Sequence, residues 1–201
     1  MLLLRLFTCF AVAAALVIPP PPASTGIQAR GRANRYKPPL ERAWDSIKDL
    51  FTTGRPEHNT NYYFMSCTRP GPNDHNSPEA ATRFAVEKVG CRHVGLVIGK
   101  TASRKREFEA VYIDLTIAAG GVLDDQGNVV NTKLIPDYTL WYGPKDNQWI
   151  RYIGKTTDRQ ANLRRLWDLA QRWVLEAGDG KALTVTYNCL TFYQYLAGAL
   201  R

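Results

Sequence analysis

A cysteine at the predicted start of the last helix is the side chain that points most directly to chemistry. Cys189 follows Asn188, a residue type that caps helix N-termini. Unpaired backbone N–H groups and the helix dipole at such a terminus stabilise an anion, which favours the thiolate form that acts as a nucleophile. Taken by itself, Cys189 is equally open to interpretation as a small buried residue or as a disulfide partner.

A histidine at the head of an apolar segment supplies a possible partner for this cysteine. His93 opens the sequence HVGLVIG, which is typical of a strand, and Gly95 leaves backbone room beside it. This placement suits a general base that faces a helix terminus, although a histidine at a strand end can also be purely structural. Because a nucleophile and its base need only be close in space, the two residues together predict a Cys–His pair.

A third group usually orients the base, and the next predicted strand, 108–117, offers two carboxylates. If this strand forms a hairpin with the histidine strand, His93 lies roughly opposite Tyr112, and Asp114 shares its face. We therefore prefer Asp114 as the third catalytic residue. A register change of one residue would favour Glu109 instead.

The elements that must position these residues form an α+β pattern, with a central antiparallel sheet and helices packed at one side. Helices are predicted over Leu40–Phe51, from the Ser77–Pro78 cap to Gly90, from the Thr157–Gln160 capping box to about Ala177, and over Cys189–Leu200. Strands are predicted over Tyr62–Cys67, His93–Ile98 and Phe108–Ile117, with shorter ones near Val129, Leu140–Tyr142 and Trp149–Ile153.

The N-terminus is typical of an exported protein. Residues 1–23 combine one early arginine, a 13-residue apolar run and a proline-rich end, which predicts a signal peptide rather than a membrane span. A retained anchor is the alternative. Residues 24–40 are interpreted as a flexible basic tail or propeptide, and residues 41–201 as a single α+β domain. We therefore expect a secreted, extracellular protein that does not span the membrane.

The charge of the chain is concentrated near its N-terminus. The formal net charge is +8, but five of the 26 Lys and Arg precede Glu41 and none of the 18 Asp and Glu does, so the predicted domain carries only 21 against 18. Nucleic acid is therefore not the favoured partner. Three histidines and scattered cysteines offer no zinc-ligand spacing, and no phosphate-binding glycine loop occurs, so neither a metal site nor a cofactor is expected.

Two short motifs carry a resemblance to a known superfamily. HVGLVIG at residues 93–99 resembles the histidine strand of NlpC/P60-type papain-like thiol hydrolases. YNCLTF at residues 187–192 is similar to the N-C-x-x-F motif of the circularly permuted branch, which includes lecithin:retinol acyltransferase-like and PPPDE-like proteins. In that branch the histidine strand precedes the cysteine helix, as it does here. The resemblance covers roughly residues 60–200 in order of elements and implies a permuted papain-like fold.

The resemblance also implies a mechanism and a set of partners. Cys189 would be the nucleophile and His93 the base, with a thioester intermediate and an oxyanion held by backbone N–H groups near the helix start. A Cys67–Cys91 disulfide would then leave Cys189 free, whereas a pairing that used Cys189 would end the catalytic interpretation. The expected substrates are peptides, isopeptides or lipid acyl groups, with Asn188 and Trp141 as candidate substrate-binding residues.

Two other classes of function stay open at this stage. Leu190–Thr191 stands where the acyltransferase branch carries Glu-His, and no second histidine lies between His93 and Cys189, which favours a non-catalytic secreted effector or toxin-like interaction protein. The basic stretch 30–37 and the run Arg104–Arg106 leave a basic nucleic-acid-binding protein as the second alternative.

Overall fold

The computed structural model describes residues 38–51, 54–118, 120–176 and 182–201, which fall in one compact unit, Lys37–Arg201. The proposed signal peptide, 1–23, and most of the proposed tail, 24–40, lie outside the described residues. The last residues assigned to that tail are the exception, because the first helix, α1, already spans Pro39–Ile47. Pro38 is its N-cap and Pro39 its first residue, positions at which the missing N–H costs no hydrogen bond.

A five-stranded antiparallel sheet forms the centre of the fold. In chain order the strands are β1 (Asn61–Thr68), β2 (His93–Thr101), β3 (Phe108–Ile117), β4 (Val122–Leu123), β5 (Val129–Val130), β6 (Leu134–Trp141) and β7 (Gln148–Thr156). The sheet has the order β6-β3-β2-β1-β7, and β4 and β5 form a separate two-stranded ribbon. Three further helices are α2 (Ala80–Val89), α3 (Leu163–Glu176) and α4 (Cys189–Gly198). The predicted α+β class with an antiparallel sheet is confirmed.

The two faces of the sheet bury different helices. Alternate residues of β1 and β2 point to opposite faces, as the pleat of a strand requires. Tyr63, Met65 and Leu96 belong to a core shared with α2, α3 and α4. Tyr62, Phe64 and Val97 belong to a second core, which contains Trp44 and Ile47 of α1. The helices beside the sheet are thus divided, with α1 on the face opposite the other three.

Two helix starts differ from the sequence-based expectation. Helix α2 begins at Ala80, with Glu79 rather than Ser77 at its N-cap, although the Ser77 hydroxyl accepts the Glu79 N–H. The Thr157–Gln160 capping box does form its two backbone contacts, yet it closes only a single turn. Asn162 then caps α3 by accepting the N–H of Arg165. A capping signature therefore marked the correct place but not the first residue of the helix.

The hairpin between β2 and β3 sets the position of the histidine. Val97 lies opposite Tyr112, and the turn closes where Thr101 pairs with Phe108. The expected pairing of His93 with Tyr112 was wrong by four residues, because β2 continues to Thr101 instead of ending at Ile98, while β3 begins at Phe108 as predicted. A change of the strand register by an even number of residues leaves each side chain on the same face of the sheet. His93 and Asp114 consequently remain on the same face, while the Glu109 alternative moves away to pair with Lys100.

Candidate active site

Cys189 is the first residue of α4, and the helix begins there because Asn188 caps it. The Asn188 side-chain oxygen accepts the N–H groups of Leu190 and Thr191, and the Thr191 hydroxyl accepts the Asn188 N–H in return. This reciprocal pair is a capping box in which threonine takes the place of the usual Glu or Gln. It fixes the sulfur at the positive end of the helix dipole, as the sequence predicted.

The cysteines pair in the way that was expected to leave Cys189 free. A disulfide joins Cys67, near the end of β1, to Cys91, two residues before β2. Cys189 is the free cysteine of the described residues and is 9% exposed. Its thiol is therefore available for chemistry, provided that a substrate can reach it.

A cavity of about 310 Å³ gives access to this thiol. Cys189 and His93 both line it, so that the two residues face one space. Most of the other wall residues are apolar or uncharged, namely Ala81, Thr82, Leu115, Thr116, Ile117 and Leu183, and the charged residues Glu79 and Arg92 complete the lining together with Asn188. The apolar walls suit the apolar part of a ligand of modest size.

The His93 ring joins Asp114 to Cys189. Its Nε2 lies 3.1 Å from Asp114 Oδ2, and both side chains are mostly buried, at 31% and 17% exposed. Burial lowers the pKa of His93, but hydrogen bonds with Asp114 and with the Cys189 thiol outweigh that effect and raise the pKa to about 10. Since Nε2 is engaged by Asp114, Nδ1 is the ring nitrogen left for the thiol.

At neutral pH this arrangement keeps a proton on the ring. An imidazolium beside a cysteine, oriented by a carboxylate, is the arrangement that cysteine nucleophiles use. The same imidazolium is placed to give its proton to a leaving group. The three residues therefore have the relative positions that a nucleophile, an acid–base group and an orienting carboxylate require.

Backbone N–H groups at the start of α4 were expected to stabilise an oxyanion. Two of them, from Leu190 and Thr191, already donate to Asn188. The N–H of Cys189 is the first of the helix and has no acceptor within it. Of these three backbone donors, the N–H of Cys189, beside the sulfur, is therefore the one that could stabilise an oxyanion.

Neither of the two candidate substrate-binding residues is placed to bind a substrate in the cavity beside Cys189. Asn188 lines the cavity but is fully buried, and its amide donates to the carbonyl groups of Thr184 and Val185. With its oxygen also occupied, it has no hydrogen-bonding capacity left for a substrate. Trp141 lies on β6 opposite Ala110 and lines a different cavity. The expectation that Trp141 borders the cysteine site is not met, because its strand position places it in the core against α1.

Sequence reasoning missed several contributors to the site. Leu115 and Leu183 form apolar walls of the cavity, and Tyr112 contacts Asp114 from the same strand. The alternation of β3 was a sufficient signal for the shared face of Tyr112 and Asp114. The segment around Leu183 reaches the site through a backbone bridge with Val129 of β5, and nothing in the local sequence announces that pairing.

Metal binding and membrane spanning are two further properties on which the described ranges bear. No cluster of three His, Cys, Asp or Glu residues suited to a metal ion is present there. Nor does any helix in that part of the chain have the length and apolar character needed to cross a membrane. No family model matches the chain, and comparison with curated proteins and with solved structures gave no significant match.

Proposed function

We propose that the protein is a secreted cysteine hydrolase or acyl transferase that cleaves an amide or ester through a thioester on Cys189. The observation that carries this proposal is the free thiol at the start of α4, which lines the same cavity as an imidazole that a carboxylate holds at 3.1 Å. A merely structural cysteine does not need a protonated histidine and a cavity beside it. The resemblance to permuted papain-like hydrolases supports the same assignment.

The proposed reaction has two steps. The Cys189 thiolate attacks the substrate carbonyl, the bond to the leaving amine or alcohol breaks, and the His93 imidazolium supplies the proton that the leaving group takes up. Water or another acceptor then attacks the thioester while His93 accepts its proton, which releases the acyl product and restores the thiolate. Peptide, isopeptide and lipid acyl substrates all meet this chemistry, and the cavity lining favours an apolar acyl part.

Acylation by a simple ester tests the proposal without knowledge of the natural substrate. The purified protein is incubated with p-nitrophenyl acetate, and the modified residue is located by mass spectrometry. We expect acetyl transfer to Cys189 that is labile to hydroxylamine and absent in Cys189→Ala. His93→Gln should slow acylation about a hundredfold, the usual contribution of a general acid–base group. A wild-type protein that is not acylated at Cys189 would contradict the proposal.

A non-catalytic interaction protein is the second candidate, because apolar side chains are exposed close to the cavity. Ile117, which lines it, is 39% exposed, and Val185, two residues from Leu183 on the cavity wall, is 46% exposed. Exposed apolar groups of this kind are common at binding surfaces. If Cys189→Ala retains the full biological effect of the protein, this second function replaces the first.

A further inference from the structure

Tyr112 contacts the catalytic carboxylate from outside the cavity. It lies on β3 two residues before Asp114, and so the two side chains share one face of the sheet. The cavity that contains Cys189 and His93 is not lined by Tyr112, which instead borders a separate cavity with Trp141 and Tyr142. Tyr112 therefore does not itself face the space beside Cys189 in which a substrate would lie.

The position of the Tyr112 ring depends on a glycine in the histidine strand. A Cβ atom placed on Gly95 would lie 2.3 Å from Tyr112 Cε2 and 2.5 Å from its Cζ and hydroxyl oxygen. No real Cβ atom tolerates contacts of this length. The ring therefore lies directly on the β2 backbone, two residues from His93, in space that only glycine leaves open.

The Tyr112 hydroxyl lies against the backbone of Gly95, on the same face of the sheet as the Asp114 carboxylate, and is placed to donate a hydrogen bond to it. Burial raises the pKa of Tyr112 well above its ordinary value, and the negative charge of Asp114 raises it further. The phenol therefore remains protonated and able to donate at every pH at which the protein would act. Asp114 thus has two neighbours that can donate to it, the phenol and the His93 ring.

We infer that Tyr112 is a positioning residue, whose hydroxyl, lying against Gly95, holds the Asp114 carboxylate in contact with His93. The inference rests on the proposed function, because it concerns the same Cys–His pair. A carboxylate on a strand has a rotatable side chain, and Asp114 is 17% exposed, so one anchoring hydrogen bond decides whether it faces the ring or the solvent. Without that anchor the carboxylate spends less time at His93, and the imidazolium loses part of its stabilisation.

Other charged groups around the ring do not provide this function. Glu79 and Arg92 line the same cavity as His93. The Glu79 carboxylate accepts the Thr82 hydroxyl, and the exposed Arg92 lies 3.8 Å from Asp74. The effect of removing one hydroxyl from Tyr112 can therefore be assigned to Asp114.

The test measures the His93 ring and the Cys189 thiol separately in Tyr112→Phe. NMR titration of the histidine ring carbons gives the His93 pKa, and the rate of Cys189 alkylation by iodoacetamide is followed across pH by mass spectrometry. We expect a lower His93 pKa in Tyr112→Phe and alkylation about threefold to tenfold slower at pH 6, since a hydrogen bond to a charged group is being lost.

Tyr138→Phe is the matched control. Tyr138 lies on the neighbouring β6, packs edge-on against Trp167, and is on the opposite face from Asp114. It should leave both measurements unchanged. Gly95→Ala should lower the His93 pKa as Tyr112→Phe does, and it should add little further change in the double variant, because both substitutions act on the same hydroxyl.

The two proposals fail in different ways. A His93 pKa that is the same in wild type and Tyr112→Phe, with the fold retained by circular dichroism, would overturn the positioning role. Failure of the proposed function would show instead as a wild-type Cys189 that is not acylated by p-nitrophenyl acetate. If Tyr112→Phe lowers the His93 pKa but wild-type Cys189 is not acylated, the positioning role of Tyr112 stands and only the proposed catalytic function is lost.

Discussion

Two opposing effects act on the proton of His93, and their balance is open to measurement. Burial favours the neutral ring, whereas Asp114 and Cys189 favour the imidazolium, and the second effect prevails. The pKa therefore rises from 6.5 in the unfolded chain to about 10 in the folded one. Protonated His93 stabilises the fold fully below pH 6.5, and this contribution is lost as the pH rises towards 10.

The first prediction follows from the raised pKa of His93 in the folded protein. The free energy of unfolding should fall between pH 6.5 and 10 in the wild type, and this fall should be smaller in His93→Gln. Urea denaturation at several pH values measures it. His75→Gln is the control, because His75 is exposed and should leave the wild-type slope unchanged. Parallel pH profiles for wild type and His93→Gln would show that the ring has no special stabilisation in the folded state.

The second prediction concerns Asp114, the proposed third catalytic residue. Asp114→Asn keeps the size of the side chain but removes its charge, so the imidazolium loses its ionic partner. We expect the alkylation of Cys189 by iodoacetamide at pH 6 to slow about tenfold, because a neutral amide holds the charged form of the His93 ring less well.

Glu109→Gln is the matched charge-neutralising control for that prediction. Its side chain is exposed, and its residue pairs with Lys100 at the far end of the hairpin. Alkylation should proceed at the wild-type rate. A slower reaction in Glu109→Gln than in Asp114→Asn would return the third role to the residue that a shifted register would have favoured.

At the scale of elements, the start of α4 depends on one buried side chain. Asn188 uses both amide hydrogens and both lone pairs of its oxygen, in contacts with the preceding turn and with the first turn of the helix. Its loss removes a cap and leaves the carbonyl groups of Thr184 and Val185 without the side-chain donors that they have here. The helix start and the turn before it are therefore stabilised together.

The third prediction compares this cap with an exposed one. Asn188→Ala should lower the free energy of unfolding by about 2–3 kcal/mol, because it removes a cap and two further, partly buried hydrogen bonds. Asn162→Ala, at the exposed start of α3, should cost only about 1 kcal/mol. Equal losses measured by urea denaturation would mean that the additional hydrogen bonds of Asn188 contribute nothing.

The helices and strands also show how much of the site could be predicted from the sequence. The cap at Asn188 and the faces of β2 and β3 follow from local residue types and from the two-residue period of strands. The register of the hairpin does not, because it depends on where the turn closes, and the residues before it, Lys100 and Thr101, are polar but continue β2. The assignment of Asp114 survived this error because the shift was even.

Contacts between distant segments were the least predictable feature. Leu183 reaches the cavity by pairing with Val129, and Trp141 turns its side chain to the core against α1. Both depend on how the chain returns to the sheet after a connection, which local periodicity does not encode. Trp141 is apolar and aromatic whether it lines a groove or a core, so its residue type could not decide between them.

For the molecule as a whole, the disulfide connects the sheet to the walls of the site. Cys67 and Cys91 join β1 to the residues just before β2, and the segment they enclose contains α2. Helix α2 contributes Ala81 and Thr82 to the cavity. The bond therefore restrains the same segment that closes one side of the proposed active site.

The last prediction concerns that restraint. The double variant Cys67→Ala/Cys91→Ala should lose about 3 kcal/mol of stability, the value expected for opening a loop of this length in the unfolded chain. Wild type treated with a reducing agent should unfold at the same lower urea concentration, whereas Cys189→Ser should keep the wild-type midpoint and its sensitivity to reduction. The double variant should still be alkylated at Cys189, because the helix cap, His93 and Asp114 are held by other contacts. If its stability equals that of the oxidised wild type, the disulfide does not stabilise the fold, and the sheet and its two cores are sufficient to hold α2 against the site.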